Sequence, residues 1–132
     1  MRSFFSHLKI MAAILFVVAI IFSHCKKVSA PIDCHLPATV SFSHDILPIF
    51  NASCSTSGCH TSPSPKASLN LSAGVAYSQL FAKSEVDTLN PEKSLLYYHM
   101  NSFSGPMPPS GRLDNCTIKL VLRWIDQKAK NN

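Results

Sequence analysis

The chain has 132 residues, with twelve Lys and Arg against seven Asp and Glu, and 46% of its residues are hydrophobic. That length allows one domain with a modest core and is too short for two once an exported leader is set aside. The positive charge is mild and forms no basic block, so nucleic acid is not an expected partner.

Residues 1–24 read as a lipoprotein-type signal peptide, in which Arg2 and Lys9 supply the basic start and the uncharged run from Ile10 to Phe22 the apolar middle. That run is too short to cross a bilayer as a mature helix. Cys25 is the expected lipidation site and new N-terminus, although His24 stands where such signals usually carry a small residue. A cut after Val28-Ser29-Ala30 competes, with Pro31 directly behind it. Either route exports the chain. The expected location is therefore the cell envelope, on the periplasmic side and lipid-anchored to a membrane.

Residues 25–39 contain Pro31 and Pro37 and show no apolar periodicity, so they read as a tether. A single domain is expected over residues 40–132. Phe42, Ile46, Ile49 and Phe50 recur at helical spacing behind Ser41 or Ser43 as cap, which predicts a short first helix that Pro48 shortens or kinks. Next comes Cys54-Ser55-Thr56-Ser57-Gly58-Cys59-His60, a CxxxxCH stretch that widens the CxxCH haem-attachment signal by two residues. Each thiol can add to one haem vinyl group as a thioether, and a histidine directly after the second thiol can reach the iron. The two extra residues must bulge outward, which Gly58 makes easier.

Residues 61–66, with Pro63 and Pro65, read as loop, after which Leu69 and Leu71 return to the core. Ser72 is the expected cap of a helix over Ala73 to Ala82, carrying Val75, Ala76, Gln79 and Leu80 on successive turns. Asn90-Pro91 opens a predicted helix to Met100 that buries Leu95, Leu96 and Tyr98. Residues 104–111, with Pro106, Pro108 and Pro109, form a stiff loop around Met107. Asp114 caps a last helix with an apolar face of Ile118, Val121, Leu122 and Ile125 and with Trp124 at its margin. No alternating strand pattern of useful length is present, so the expected class is all-α.

Haem iron held by His60 takes a sixth ligand or keeps an open position. Met107 is the favoured sixth ligand, because prolines on both sides preset its backbone and a flexible apolar side chain has few core duties in such a loop. His99 and Met100 are rivals on the preceding helix, and His44 and His35 are weaker ones. Of the remaining thiols, Cys34 and Cys116 form a candidate disulfide in an oxidising compartment, with two separate thiols as the alternative. Closing a loop of about 83 residues contributes on the order of 4.5 kcal/mol in the chain-entropy account.

From Ser41 to Ala129 the sequence resembles the small bacterial c-type cytochrome domains, including the planctomycete-type and related membrane-anchored forms. The resemblance rests on Phe42 with Asp45-Ile46-Leu47-Pro48-Ile49-Phe50, the Cys54 to His60 motif, Leu69 and Leu71, Pro91 to Leu95, Met107-Pro108-Pro109 and Trp124-Ile125. It implies a class I cytochrome c-like fold of about four short helices around one covalent haem c, with thioethers at Cys54 and Cys59, His60 as proximal ligand and Met107 as distal ligand. The CxxxxCH spacing departs from the common form.

The function this implies is a monomeric, exported monohaem cytochrome that relays single electrons between a donor and an acceptor redox protein and is not an enzyme. No Ser/His/Asp set, paired carboxylates or glycine-rich phosphate loop suggests a substrate site. The alternatives are a lipoprotein that binds zinc through Cys54, Cys59 and His60 with Cys116 or His99, one stabilised by a Cys54–Cys59 disulfide, and a haem sensor whose distal position is open to a small ligand.

Overall fold

A computed structural model describes residues 33–132; the expected signal peptide, Cys25 and the first part of the tether lie outside the described residues. Four α-helices and no β-strand are found among the described residues, which makes this part of the chain all-α.

The Ser41 hydroxyl accepts the His44 N–H at 3.3 Å, and the Asp45 carboxylate accepts the Ser41 N–H at 2.7 Å, so each end of the first turn caps the other. That turn, Phe42–Ile46, is π-helical and leads into helix α1, Leu47–Ser53. Pro48 explains the wide turn: it has no N–H to give to the His44 carbonyl, and the Leu47 N–H reaches back to the Phe42 carbonyl instead.

Helix α2 spans Ala76–Ala82, three residues shorter at its start than the sequence predicts. Ser72 is not its side-chain cap, because the Ser72 hydroxyl is hydrogen-bonded to that of Thr61 at 2.9 Å. Gly74, at φ +87°, turns the backbone out of helical geometry just before α2. The predicted Pro91 to Met100 helix is divided. Pro91–Lys93 is a 3₁₀ turn, Ser94 is extended, and helix α3 runs Leu95–Asn101. Ser94 is buried because its hydroxyl accepts the Asp87 N–H at 2.9 Å, and that contact fixes the break. After it, Leu96 and Met100 face the core, whereas Leu95 and Tyr98, expected inside, are exposed.

Asp114 caps helix α4, Asn115–Asp126, accepting from the N–H groups of Cys116 and Thr117 at 2.9 and 3.0 Å. These bonds and the Thr117 hydroxyl hold its carboxyl below the ordinary aspartate pKa. The buried face of α4 is Ile118, Val121, Trp124 and Ile125. Trp124 is fully buried in the core, whereas Leu122 is half-buried outside it, the reverse of the expected order. The aromatic ring of Phe42 sets this phase, lying 5.3 Å from Trp124 and 5.2 Å from Tyr77 between ring centres. The Trp124 indole N–H is satisfied by the Lys130 carbonyl at 3.0 Å, and the Tyr77 hydroxyl donates to Ala129.

Residues 33–39 have no regular secondary structure, yet they are fastened to α4. Cys34 is bonded to Cys116 across 82 positions of sequence. Gln127 adds two hydrogen bonds, accepting the Val40 N–H at 2.9 Å and donating to the Ala38 carbonyl at 2.8 Å. The end of the expected tether is thereby part of the folded unit.

Replacing both Cys34 and Cys116 with Ser lowers the unfolding free energy by about 2–4 kcal/mol. Urea titrations of the two proteins measure this, and coincident midpoints would show that the bridge restrains little.

Candidate functional site

Cys54 ends α1, and its burial follows from its place on the core side of that helix. The chain then loops out and returns. Cys59 donates its N–H to the Thr56 carbonyl at 3.0 Å, Gly58 takes φ +76°, and the His60 N–H closes onto the Cys54 carbonyl at 3.0 Å. The two residues that widen the motif are thus absorbed in a turn of Ser, Thr and Gly. His60 comes back beside Cys54 in spite of the longer spacing.

The segment after the motif fixes the His60 ring. The Lys66 N–H donates to the Cys59 carbonyl at 2.9 Å and the Leu71 N–H to the His60 carbonyl at 2.8 Å, while Nδ1 of His60 lies 3.2 Å from the Leu69 carbonyl. A carbonyl can only accept, so Nδ1 carries the proton and Nε2 keeps its lone pair. Leu69 and Leu71 are buried, which anchors that carbonyl to the core. Just before it, Ala67 and Ser68 adopt left-handed φ values of 53° and 56°, a conformation costly for residues with a Cβ.

Met107 approaches from residues 102–113, which lie between α3 and α4, and its N–H donates to the His99 carbonyl at 3.0 Å. One cavity of about 300 Å³ is lined by Cys54, Cys59, His60, Met107, Pro108 and Pro109, with an almost wholly apolar wall. All four residues expected to bind the cofactor line it, together with Lys66, which nothing in the sequence singled out. Of the rivals to Met107, Met100 is fully committed to the core, and His99, His44 and His35 are exposed residues outside the cavity wall. His99 instead packs edge-on against Tyr98.

Cys54 and Cys59 are free thiols, Cys54 buried and Cys59 half-buried. Cys116, offered above as a zinc ligand, is bonded to Cys34. Among the described residues no three His, Cys, Asp or Glu side chains gather as a metal-ion shell. Burial pushes the Cys54 thiol up to about 11, and the neighbouring Cys59 adds to the rise. Burial also raises Glu85 above the ordinary glutamate range, an effect that positive charge on nearby His99 or His60 would oppose.

Comparison with family models, curated proteins and solved structures gives no match to this chain.

These thiols predict two outcomes for protein without cofactor. Iodoacetamide alkylates Cys59 well before Cys54, because the thiolate is the nucleophile and Cys54 is both buried and protonated at neutral pH; mass spectrometry after digestion reads the order, and equal rates would contradict it. Because Cys54 in the folded chain holds its proton to about 11 while an ordinary thiol releases it at 9.0, the unfolded state binds fewer protons in between. Stability therefore falls as pH rises from 9.0 to about 11, by on the order of 2–3 kcal/mol, and Cys54→Ala removes most of that slope.

Proposed function

We propose that this chain is an exported monohaem c-type cytochrome that relays single electrons between redox proteins, with a class I cytochrome c-like arrangement of its four helices. The observation that carries the reading is the shared apolar cavity lined by Cys54, Cys59, His60 and Met107. The donor chemistry fits the group: two thiols left unpaired beside a third and fourth that are bridged, an imidazole with Nδ1 already occupied, and a thioether on the same wall.

In this reading Cys54 and Cys59 would hold the haem covalently, and His60 and Met107 would be the residues that ligate its iron. When bound, the haem supplies a reversible one-electron change at iron. The rest of the work belongs to the chain. The Leu69 carbonyl orients the His60 ring, as a partner to the far nitrogen does in metal-bound histidines. A thioether ligand from Met107 together with the His60 imidazole would favour the reduced state and raise the potential. The apolar wall limits water at the site, and ligands supplied by the chain itself would lower the rearrangement that accompanies each electron. The cavity is small for so large a ring, so part of the ring would stay at the surface, within reach of a docking partner.

The N-terminal features extend the proposal. Cys25 carries the lipid, residues 1–24 are removed, and the domain works as a monomer at the periplasmic side of a membrane. A second reading, a sensor of small ligands, draws on the position of Met107, which is 40% exposed on a loop and could vacate the iron.

The test is a pyridine haemochrome spectrum of the full chain exported alongside c-type haem maturation proteins, taken after acid-acetone extraction removes haem that is not covalently held. Retained haem with the band of a double thioether is expected, and its loss in Cys54→Ala/Cys59→Ala. A colourless chain, produced beside a control cytochrome that does acquire haem, would overturn the proposal. Met107→Ala is expected to lower the potential and change the ferric spectrum; an unchanged spectrum would remove Met107 from the ligand set and favour the sensor.

A further inference from the structure

We infer that Arg112 is the positioning residue for Met107, acting as a brace across the loop that carries it; this inference rests on the cytochrome reading. Residues 102–111 contain no helix and are mostly exposed, with Phe103 exposed at 88%. The prolines preset the backbone beside Met107 but not the directions in which the loop leaves α3 and enters α4, and burial cannot choose among those. Something else must hold its ends.

Arg112 touches both. Toward the start of the loop, Nε donates to the Asn101 carbonyl at 3.3 Å and one terminal nitrogen donates to the Asn101 side-chain oxygen at 2.5 Å. Toward α4, the other terminal nitrogen donates to the side-chain oxygen of Asn115 at 2.7 Å. Asn101 is itself steadied on α3, donating to the Tyr97 hydroxyl at 3.2 Å. The guanidinium also lies 4.8 Å from the centre of the Phe103 ring, inside the loop. One planar, permanently charged group thus joins the last residue of α3, the first residue of α4 and a ring of the loop between them.

The consequence for Met107 follows from connectivity. The Met107 N–H is bonded to the His99 carbonyl, two residues before Asn101, so the loop folds back along the helix that Arg112 grips. With both ends pinned, the Met107 side chain is held on the wall it shares with His60. Without the brace the other hydrogen bonds of the loop are internal to it, between Ser102 and Ser104 and between Gly111 and Pro108; the bond to His99 is then what ties Met107 to α3, and the loop spends more of its time with Met107 away from that wall. A lysine cannot substitute fully, because an ammonium lacks the flat fork that serves Asn101 and Asn115 at once.

The experiment uses the full-length haem-loaded protein and its Arg112→Gln, Arg112→Lys and Tyr77→Phe variants. Added imidazole binds ferric iron only when Met107 is away, so its apparent affinity reports the fraction of time the ligand is absent. Arg112→Gln is expected to bind imidazole about tenfold more tightly than the parent and to show a lower potential, with Arg112→Lys between the two. Tyr77→Phe, which loses the hydrogen bond from α2 to the Ala129 carbonyl and lies outside the cavity wall, lowers stability and leaves the imidazole titration unchanged. The brace is refuted if Arg112→Gln titrates like the parent, or if Tyr77→Phe shifts the titration as much. A parent chain that acquires no haem refutes the cytochrome reading, and the brace is then judged by hydrogen exchange in that chain: Arg112→Gln must speed exchange of the Met107 amide by about tenfold or more, and an unchanged rate overturns it.

Discussion

A neutral imidazole has one proton to give, and in this protein it goes to the main chain: Nδ1 of His60 is held by the Leu69 carbonyl. Whatever the site does depends on that bond, because it determines which nitrogen has a lone pair to offer and fixes the plane of the ring. The carbonyl is placed by burial. Leu69 and Leu71 lie in the same core as Phe50 and Trp124, so the orientation of the ring is inherited from packing. The backbone reaches this arrangement through two left-handed residues, Ala67 and Ser68, whose cost the surrounding contacts offset.

The two sides of the cavity are built differently. On the histidine side, main-chain hydrogen bonds from His60, Lys66 and Leu71 tie the motif to itself and to core leucines. On the methionine side, an exposed loop depends on polar groups at its ends and on one hydrogen bond to His99. Packing leaves the histidine little freedom and the methionine considerably more. This asymmetry is the physical basis for weighing a relay, which needs both ligands in place, against a sensor, which needs one of them to leave.

The parts of the fold that the sequence made legible are those governed by local chemistry. Ser41, Asp114 and the proline-rich run around Met107 act where they stand, and each has the role its residue type suggests. The departures come from contacts between distant residues. Ser72 was spent on Thr61, Ser94 on Asp87, and the phase of α4 on the rings of Phe42 and Tyr77. No periodicity in one segment could report partners in another. In the site, the CxxxxCH stretch and Met107 were visible because side chains carry their chemistry. The Leu69 carbonyl was not, since every residue has one, and neither was Arg112, whose partners are ordinary asparagines on two different helices.

The bridge between Cys34 and Cys116 also has a consequence for reach. With Cys25 lipidated as proposed, eight residues would lie between the anchor and Cys34, the first covalent attachment to the domain, a leash of about 30 Å at full extension. Opening the bridge would pass the load to the Gln127 hydrogen bonds at Ala38 and Val40, and the leash would lengthen to about 45 Å. On that proposal the disulfide would set the radius within which the domain could find a partner on the same membrane. By keeping that radius short, it would raise the concentration of such partners that the domain encounters.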